Sequence, residues 1–230
     1  MAEFDARRGR DLMEKLFDNC RVLISSEEIQ DRVRELAQRI SIDYSGRNPL
    51  FITLLKGGFI FLADLVRNLS IPCEIEFVTA SSYRDGMRRS AEVEISANLK
   101  SDLAGREVIV VEGIVDTGHT LINLMQTLSE QRVKNYRVCT LLDKPSAREV
   151  EAPVHYVGFE IPDVFAIGYG LDFMEQYRNL SYIAELSPSP AATAVPDRNI
   201  RRPDFAVSSV APVILDQSRR DGHGDEREHR

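Results

Sequence analysis

The chain has 230 residues, 43% of them hydrophobic, which is enough for one good core and by length falls between one and two domains. A formal net charge of −7 argues against broad nucleic-acid or anionic-membrane binding by the whole protein, so any anion site must be local. Cys20, Cys73 and Cys139 are widely spaced and form no C-x-x-C pattern, so they read as buried thiols. There is no basic-then-apolar leader and no apolar run of spanning length, so the expectation is a cytoplasmic protein with no membrane partner.

Residues 1–20 are charged, with a short helix predicted around Arg10 to Phe17. Arg21 to Ile24 is a brief apolar run. Ser26 with Glu27 and Glu28 opens a helix predicted to reach about Ile42, with Ile29, Val33, Leu36, Ala37 and Ile40 on its core face. Pro49 to Leu55 reads as a buried strand, ended by Lys56-Gly57-Gly58 before an apolar helix from Phe59 to Leu69. Strand, Lys-Gly-Gly, helix suggests an anion site, although glycines at such a corner also occur for steric reasons alone. Pro72 to Thr79 is the next strand. It runs into Ala80 to Tyr83 and a polar segment, Arg84 to Ser90, which by itself reads as a solvated hairpin loop.

Val108 to Leu121 organises the rest. Four β-branched residues, Val108 to Val111, suit a strand buried on both faces, and the strand is expected to stop at Glu112. Asp116, Thr117, Gly118, His119 and Thr120 form a short polar turn, behind which Leu121, Ile122, Leu124, Met125 and Leu128 recur at helical spacing. Such a turn leaves backbone N–H groups pointing outward, where the helix dipole also favours an anion. Asp-Thr-Gly before a helix is equally ordinary N-cap chemistry, so the turn alone leaves both readings open. Two carboxylates, Glu112 and Asp116, tip the balance, because ligands of open α/β sheets collect at the carboxyl ends of the strands.

Val133 to Leu142 reads as a strand ending in Asp143-Lys144-Pro145, and a lysine there is ordinarily solvent-exposed. His155 to Phe159 is a further strand, and Tyr182 to Leu186 the last. Read alone, Phe165 is a core aromatic and Arg178 a surface charge. From Ser187 the composition turns to Ser-Pro-Ser-Pro, Ala, Asp and Arg, which predicts a disordered tail over 187–230. Within it Val207 to Leu215 is an apolar patch able to dock, although the loose reading is favoured.

Taken whole, Val108 to Leu121 resembles the phosphoribosyl-diphosphate binding signature of the type I phosphoribosyltransferases. The run GFEIPDVFAIGYGLD (158–172), with Tyr177-Arg178-Asn179-Leu180, resembles the C-terminal part of the hypoxanthine-guanine phosphoribosyltransferases in that family. The resemblance covers about Cys20 to Ser187. It implies an α/β fold, a central parallel sheet flanked by helices with a small hood, over 1–186. It implies purine salvage: transfer of the 5-phosphoribosyl group from phosphoribosyl diphosphate to hypoxanthine or guanine, giving IMP or GMP and pyrophosphate, with Mg2+ as cofactor and a homodimer or homotetramer as the assembly.

Site roles follow from the same resemblance. Asp116 to Thr120 would cradle the 5-phosphate, with Asp116 also the general base, and Glu112 would hold a ribose hydroxyl. The Leu55-Lys56-Gly57 turn, which can hold a non-proline cis peptide, would contact pyrophosphate together with Arg178. Ser82 and Tyr83 match a lid pair that closes over the reacting atoms. Lys144 would donate to the exocyclic oxygen of a 6-oxopurine, Phe165 would stack on the base, and the backbone near Ala166 and Asp172 would meet its far edge. Glu112 and Asp172 are the expected metal carboxylates. One position departs: Gly113 stands where the family usually has an acid. Losing one charge-assisted contact of roughly 1.5 to 3 kcal/mol would weaken diphosphate binding without abolishing chemistry. Restoring the acid with Gly113→Asp is expected to change that binding. The rivals are a regulatory nucleotide- or RNA-binding protein on the same fold, disfavoured by Asp116, Lys144 and Phe165 and by the acidic charge, and a xanthine-preferring enzyme, which Lys144 cannot discriminate.

Overall fold

The computed structural model describes residues 20–82, 93–96, 103–186, 200–204 and 213–214, with 80–82, 93–96 and 213–214 described by backbone alone. In chain order these form β1 (Cys20–Ile24), α1 (Ser26–Asp43), β2 (Leu50–Leu55), α2 (Phe59–Arg67), β3 (Glu74–Ser82), β4 (Val93–Ser96), β5 (Glu107–Val115) and α3 (His119–Glu130). There follow β6 (Asn135–Asp143), a 3-10 turn (Pro145–Ala147), β7 (Tyr156–Glu160), β8 (Ala166–Ile167), β9 (Ile183–Leu186) and β10 (Val213–Ile214). α1 starts where its sequence caps it. The Ser25 hydroxyl accepts from the Glu28 N–H, and the Glu28 carboxylate accepts from the Ser25 N–H at 2.9 Å, which gives partners to amides that the first turn cannot satisfy internally.

Five strands in the order β3-β2-β5-β6-β7 run parallel, as the sequence predicts. β4 adds antiparallel to β3, in a stretch where the sequence suggests no strand, and β10 pairs antiparallel with the start of β6. Side chains alternate across this sheet. Phe51, Ile109 and Val111 pack on one face with Leu36 and Ile40 of α1 and Phe61 and Leu65 of α2, while Leu50, Ile52, Val108 and Val110 pack on the other with Leu121, Leu124 and Leu128 of α3. Burial on both faces is why the strands read as nearly unbroken apolar runs.

The strand expected to stop at Glu112 continues to Val115, which corrects the boundary. β6 extends to Asp143 and offers backbone partners, so that Glu112, Ile114 and Val115 pair with Thr140, Leu142 and Asp143. β1, β9 and β8 make a separate antiparallel sheet, the small hood, by joining the first and last strands of the 20–186 region. Two described pieces of the stretch after 186 lie against the domain. Glu160 and Arg201 exchange backbone bonds of 2.8 and 3.0 Å, Arg32 Nη2 donates to the Pro203 carbonyl at 2.6 Å, and Val213 and Ile214 pair with Tyr136 and Asn135.

From β2 the chain crosses to β3, and from β5 it crosses the other way to β6 and β7. The loops after β2 and β5 therefore diverge and open a crevice at the carboxyl ends of the strands. The core beneath this crevice can be tested at Phe51, which is fully buried in β2. Phe51→Ala should lower unfolding free energy by about 3–5 kcal/mol, read as an earlier denaturant midpoint at unchanged slope; an unshifted midpoint would remove Phe51 from the core.

Candidate active site

The polar turn follows β5 directly, with Gly118 as the N-cap of α3 at φ 94° and ψ −14°, and no side chain caps this helix end. Of the two readings the sequence leaves open, side-chain capping by Asp116 or Thr117 is not adopted, and the first amides of α3 remain available to an anion. Position 118 also has no space for a side chain, since a Cβ there would lie 2.9 Å from the Val150 carbonyl oxygen. Glu112, Asp116, Thr117, Gly118 and Thr120 line one pocket. The His119 ring sits at its edge, Nε2 lying 3.0 Å from Glu149 Oε2.

Glu112 lies three residues inside the end of β5, where the strand floor meets this pocket. Its Oε1 is out of solvent with no hydrogen-bond partner, and burial pushes its pKa up to about 8. A buried polar atom left open in this way is an acceptor waiting for a hydroxyl or a cation.

Lys144 is buried, contrary to the usual habit of a lysine at a strand end. Its ammonium is held 3.2 Å from Asp116 Oδ2 and 3.5 Å from Asp163 Oδ1, both carboxylates being open to solvent. A buried ammonium needs such partners. The turn after β5 and the turn after β6 thus meet at one ion pair. Phe165 is 52% exposed and stands edge-to-face with Phe173, ring centroids 5.8 Å apart, so the core-aromatic alternative does not hold. Its neighbour Ala166 begins β8 and pairs with Glu185 of β9.

After β2, the peptide between Leu55 and Lys56 is cis. Lys56 Nζ lies 2.7 Å from Glu175 Oε2, and Arg178 Nη2 lies 3.5 Å from that same oxygen and 2.8 Å from Asp172 Oδ1. The two cations expected to meet pyrophosphate therefore share a carboxylate. Lys56 and Glu175 are both mostly exposed, and such pairs are weak enough to be exchanged for a ligand. Arg178 Nη1 also donates to the Gly170 carbonyl at 2.8 Å, which makes it a built-in group rather than a loose surface charge. Magnesium sites of this kind use one or two carboxylates plus substrate oxygens. The open Oε1 of Glu112 fits that demand, while Asp172 is engaged by Arg178 and by the Glu175 N–H at 2.9 Å. Among the described residues no group of three or more His, Cys, Asp or Glu stands ready for a metal.

Several participants escape the sequence reading. Asp163, Glu175 and Arg148, whose Nη1 donates to the Asp116 carbonyl at 2.7 Å, carry no local motif that marks them. Gly113 is a different case. A Cβ there would lie 2.8 Å from the Gly57 carbonyl oxygen, and one on Gly170 would lie 2.4 Å from the same atom, so the Lys56–Gly57 turn is seated in a notch between two glycines. Of the lid pair, Ser82 ends β3, with nothing described of its side chain, and Tyr83 lies outside the described residues.

Two tests follow from this geometry. Gly113→Ala and Gly113→Asp should push the Lys56–Gly57 turn aside at about 1–3 kcal/mol of overpacking and weaken pyrophosphate binding; tighter binding by Gly113→Asp would sink the steric account. An unfolded glutamate loses its proton near 4.5 and folded Glu112 near about 8. Between those values the folded state holds the extra proton, so this residue's contribution to stability declines as pH rises. Glu112→Gln cannot ionise, and its melting temperature should gain on the parent's from about pH 5 to about pH 9. A difference independent of pH would mean that Glu112 ionises freely.

The chain matches the family described as "Phosphoribosyl transferase domain" over residues 25–174. It is 45% identical over 168 residues to a hypoxanthine phosphoribosyltransferase of Haemophilus influenzae, covering 72% of this chain and 94% of that protein, and 44% identical over 167 residues to the Escherichia coli K12 enzyme of the same name, with coverage of 72% and 94%. Among solved structures, a hypoxanthine-guanine phosphoribosyltransferase of Bacillus anthracis superposes with a TM-score of 0.68 at 42% identity, over 73% of this chain and 98% of that one. With more than half of its length inside the family's domain and relatives of this identity, the chain belongs to the phosphoribosyl transferase domain family.

Proposed function

We propose that this chain is a purine-salvage phosphoribosyltransferase that moves the 5-phosphoribosyl group from phosphoribosyl diphosphate to hypoxanthine or guanine, giving IMP or GMP and pyrophosphate. The observation that carries the reading is the buried Lys144 paired with Asp116 at 3.2 Å, with the turn before α3 uncapped by any side chain and Phe165 exposed. The amides of Asp116 to Thr120, with the Thr117 and Thr120 hydroxyls, hold the 5-phosphate. Glu112 accepts from a ribose hydroxyl, and Lys56, Gly57 and Arg178 receive pyrophosphate. The base stacks on Phe165, Lys144 donates to its 6-oxygen, and the backbone near Ala166 and Asp172 meets its far edge.

In the reaction, purine N9 attacks the anomeric carbon while the bond from that carbon to the pyrophosphate oxygen breaks and the electron pair leaves with pyrophosphate. Asp116 takes the proton released from the purine ring, a role worth about a hundred- to ten-thousand-fold. Glu112 through its open Oε1, and Asp172 once Arg178 turns to pyrophosphate, would hold Mg2+ together with substrate oxygens, and the ion would supply charge neutralisation for the leaving group. Adenine lacks the 6-oxygen and would leave the Lys144 donor unpaired, which can discriminate by roughly ten thousand-fold.

Exposed Leu55, Phe59, Ile75 and Phe77 line an apolar groove beside the pyrophosphate turn, which supports a homo-oligomer, dimer or tetramer, to be checked by light scattering. Cys20, Cys73 and Cys139 are unpaired, in keeping with a reducing cytoplasm, and no helix among the described residues is long and apolar enough to cross a membrane.

The test is pyrophosphate release from phosphoribosyl diphosphate and Mg2+ with hypoxanthine, guanine, xanthine and adenine supplied separately. Release with the first two and none with adenine is expected; no release with any base would remove the enzymatic reading. Asp116→Asn should lower kcat by about a hundredfold or more and leave the diphosphate's Michaelis constant near the parent's. Unchanged turnover would take Asp116 out of the proton step.

A further inference from the structure

A peptide plane that presents its N–H to a ligand must turn its C=O the other way, and a buried C=O needs a partner there. The three planes that begin the phosphate turn meet this demand in one place. The Val115 carbonyl accepts from the Lys144 N–H at 3.0 Å, and the Asp116 carbonyl from Arg148 Nη1 at 2.7 Å. The Thr117 carbonyl accepts from both the Glu149 and Val150 N–H groups, at 3.0 and 3.2 Å. All three oxygens are drawn to residues 144–150, so the N–H groups of Asp116, Thr117 and Gly118, which share those planes, face away from that segment.

Arg148 is the one side chain in this grip. Its Nη2 is paired with Asp143 at the end of β6, and the ion pair is shielded, with 15% and 11% of the two side chains exposed. Contact is tight enough that a Cβ on Gly118 would fall 3.2 Å from Arg148 Cδ as well as against Val150. At the other end of the segment, Lys144 turns its ammonium to Asp116, with the Pro145–Ala147 turn as the link to Arg148.

We propose that residues 144–150 are a clamp that holds the phosphate turn open to its ligand, with Arg148 as its positioning residue, and that the base and 5-phosphate subsites are built on the two ends of this one segment. Arg148 touches no substrate in this account. It acts through the Asp116 carbonyl, and Asp143 fixes its guanidinium. The inference rests on the assignment of the 116–120 turn to the 5-phosphate.

The experiment is the forward and reverse kinetics of Arg148→Met, Arg148→Lys and Asp143→Asn with hypoxanthine, alongside IMP binding by calorimetry. Arg148→Met should raise the Michaelis constants for phosphoribosyl diphosphate and IMP, and the IMP dissociation constant, by about tenfold or more, the size of one lost hydrogen bond to a charged group. The Michaelis constant for pyrophosphate, whose contacts lie on the turn after β2, should stay within about twofold of the parent's, a split that general destabilisation would not produce. Arg148→Lys should recover part of the loss. Asp143→Asn keeps the guanidinium and removes only its charged anchor, so it should show the same split at smaller size even if Arg148→Met does not fold. IMP binding within about twofold of the parent's in every folded variant, or constants for IMP and pyrophosphate that rise together, would overturn the clamp. Failure of the parent protein itself to bind IMP would instead overturn the functional reading beneath it.

Discussion

Thr53, Val111 and Cys139 lie level across β2, β5 and β6, and a slip of one residue in any of these strands would turn its core side chains to the wrong face. The Thr53 hydroxyl pins the level by donating to the Val111 carbonyl at 2.7 Å in the buried interior. From that line the three strands run out at nearly the same height into Lys56, Asp116 and Lys144. The placing of these three strand-end turns relative to one another therefore depends on hydrophobic register. The two core layers that fix the register lie beneath the site and take no part in its chemistry.

What was legible in the sequence was what is local. β-branched runs such as Val108 to Val111 identify doubly buried strands, and the polar turn and helix behind them are marked within the next dozen residues, although the turn alone left an anion site and ordinary capping both open. Non-local pairings were not legible. The hood joins Cys20–Ile24 to Ile183–Leu186, and no periodicity in either segment names its partner. The extension of β5 past Glu112 depends on how far β6 runs, which is a property of another segment. Arg148, Asp163 and Glu175 were invisible for the same reason: each acts on a residue far from it in sequence, and an isolated charge in a loop reads as solvated.

Where the sequence left two readings of one residue, exposure and partners separated them. Lys144 is buried between carboxylates, and Phe165 is exposed where a core aromatic would not be. Both depart from the habit of their residue type: a lysine is seldom buried without carboxylates to pair it, and a large ring is seldom left exposed. His119 Nε2 and Glu149 Oε2, 3.0 Å apart, join the start of α3 to the segment after β6.

The glycine in place of a second acid gains a physical account from strand parity. Successive side chains of a strand point to opposite sides, so Glu112 and position 113 of β5 point apart. Glu112 looks into the phosphate pocket, and its raised pKa comes from burial alone, with no neighbouring carboxylate contributing. Position 113 looks at the Gly57 carbonyl and Leu171. With no side chain there, the turn after β2 closes directly onto β5, and Gly170 completes the seat from the other side. Gly113 thus bears on how the Lys56–Gly57 turn is seated, while Glu112 lines the pocket of the 116–120 turn.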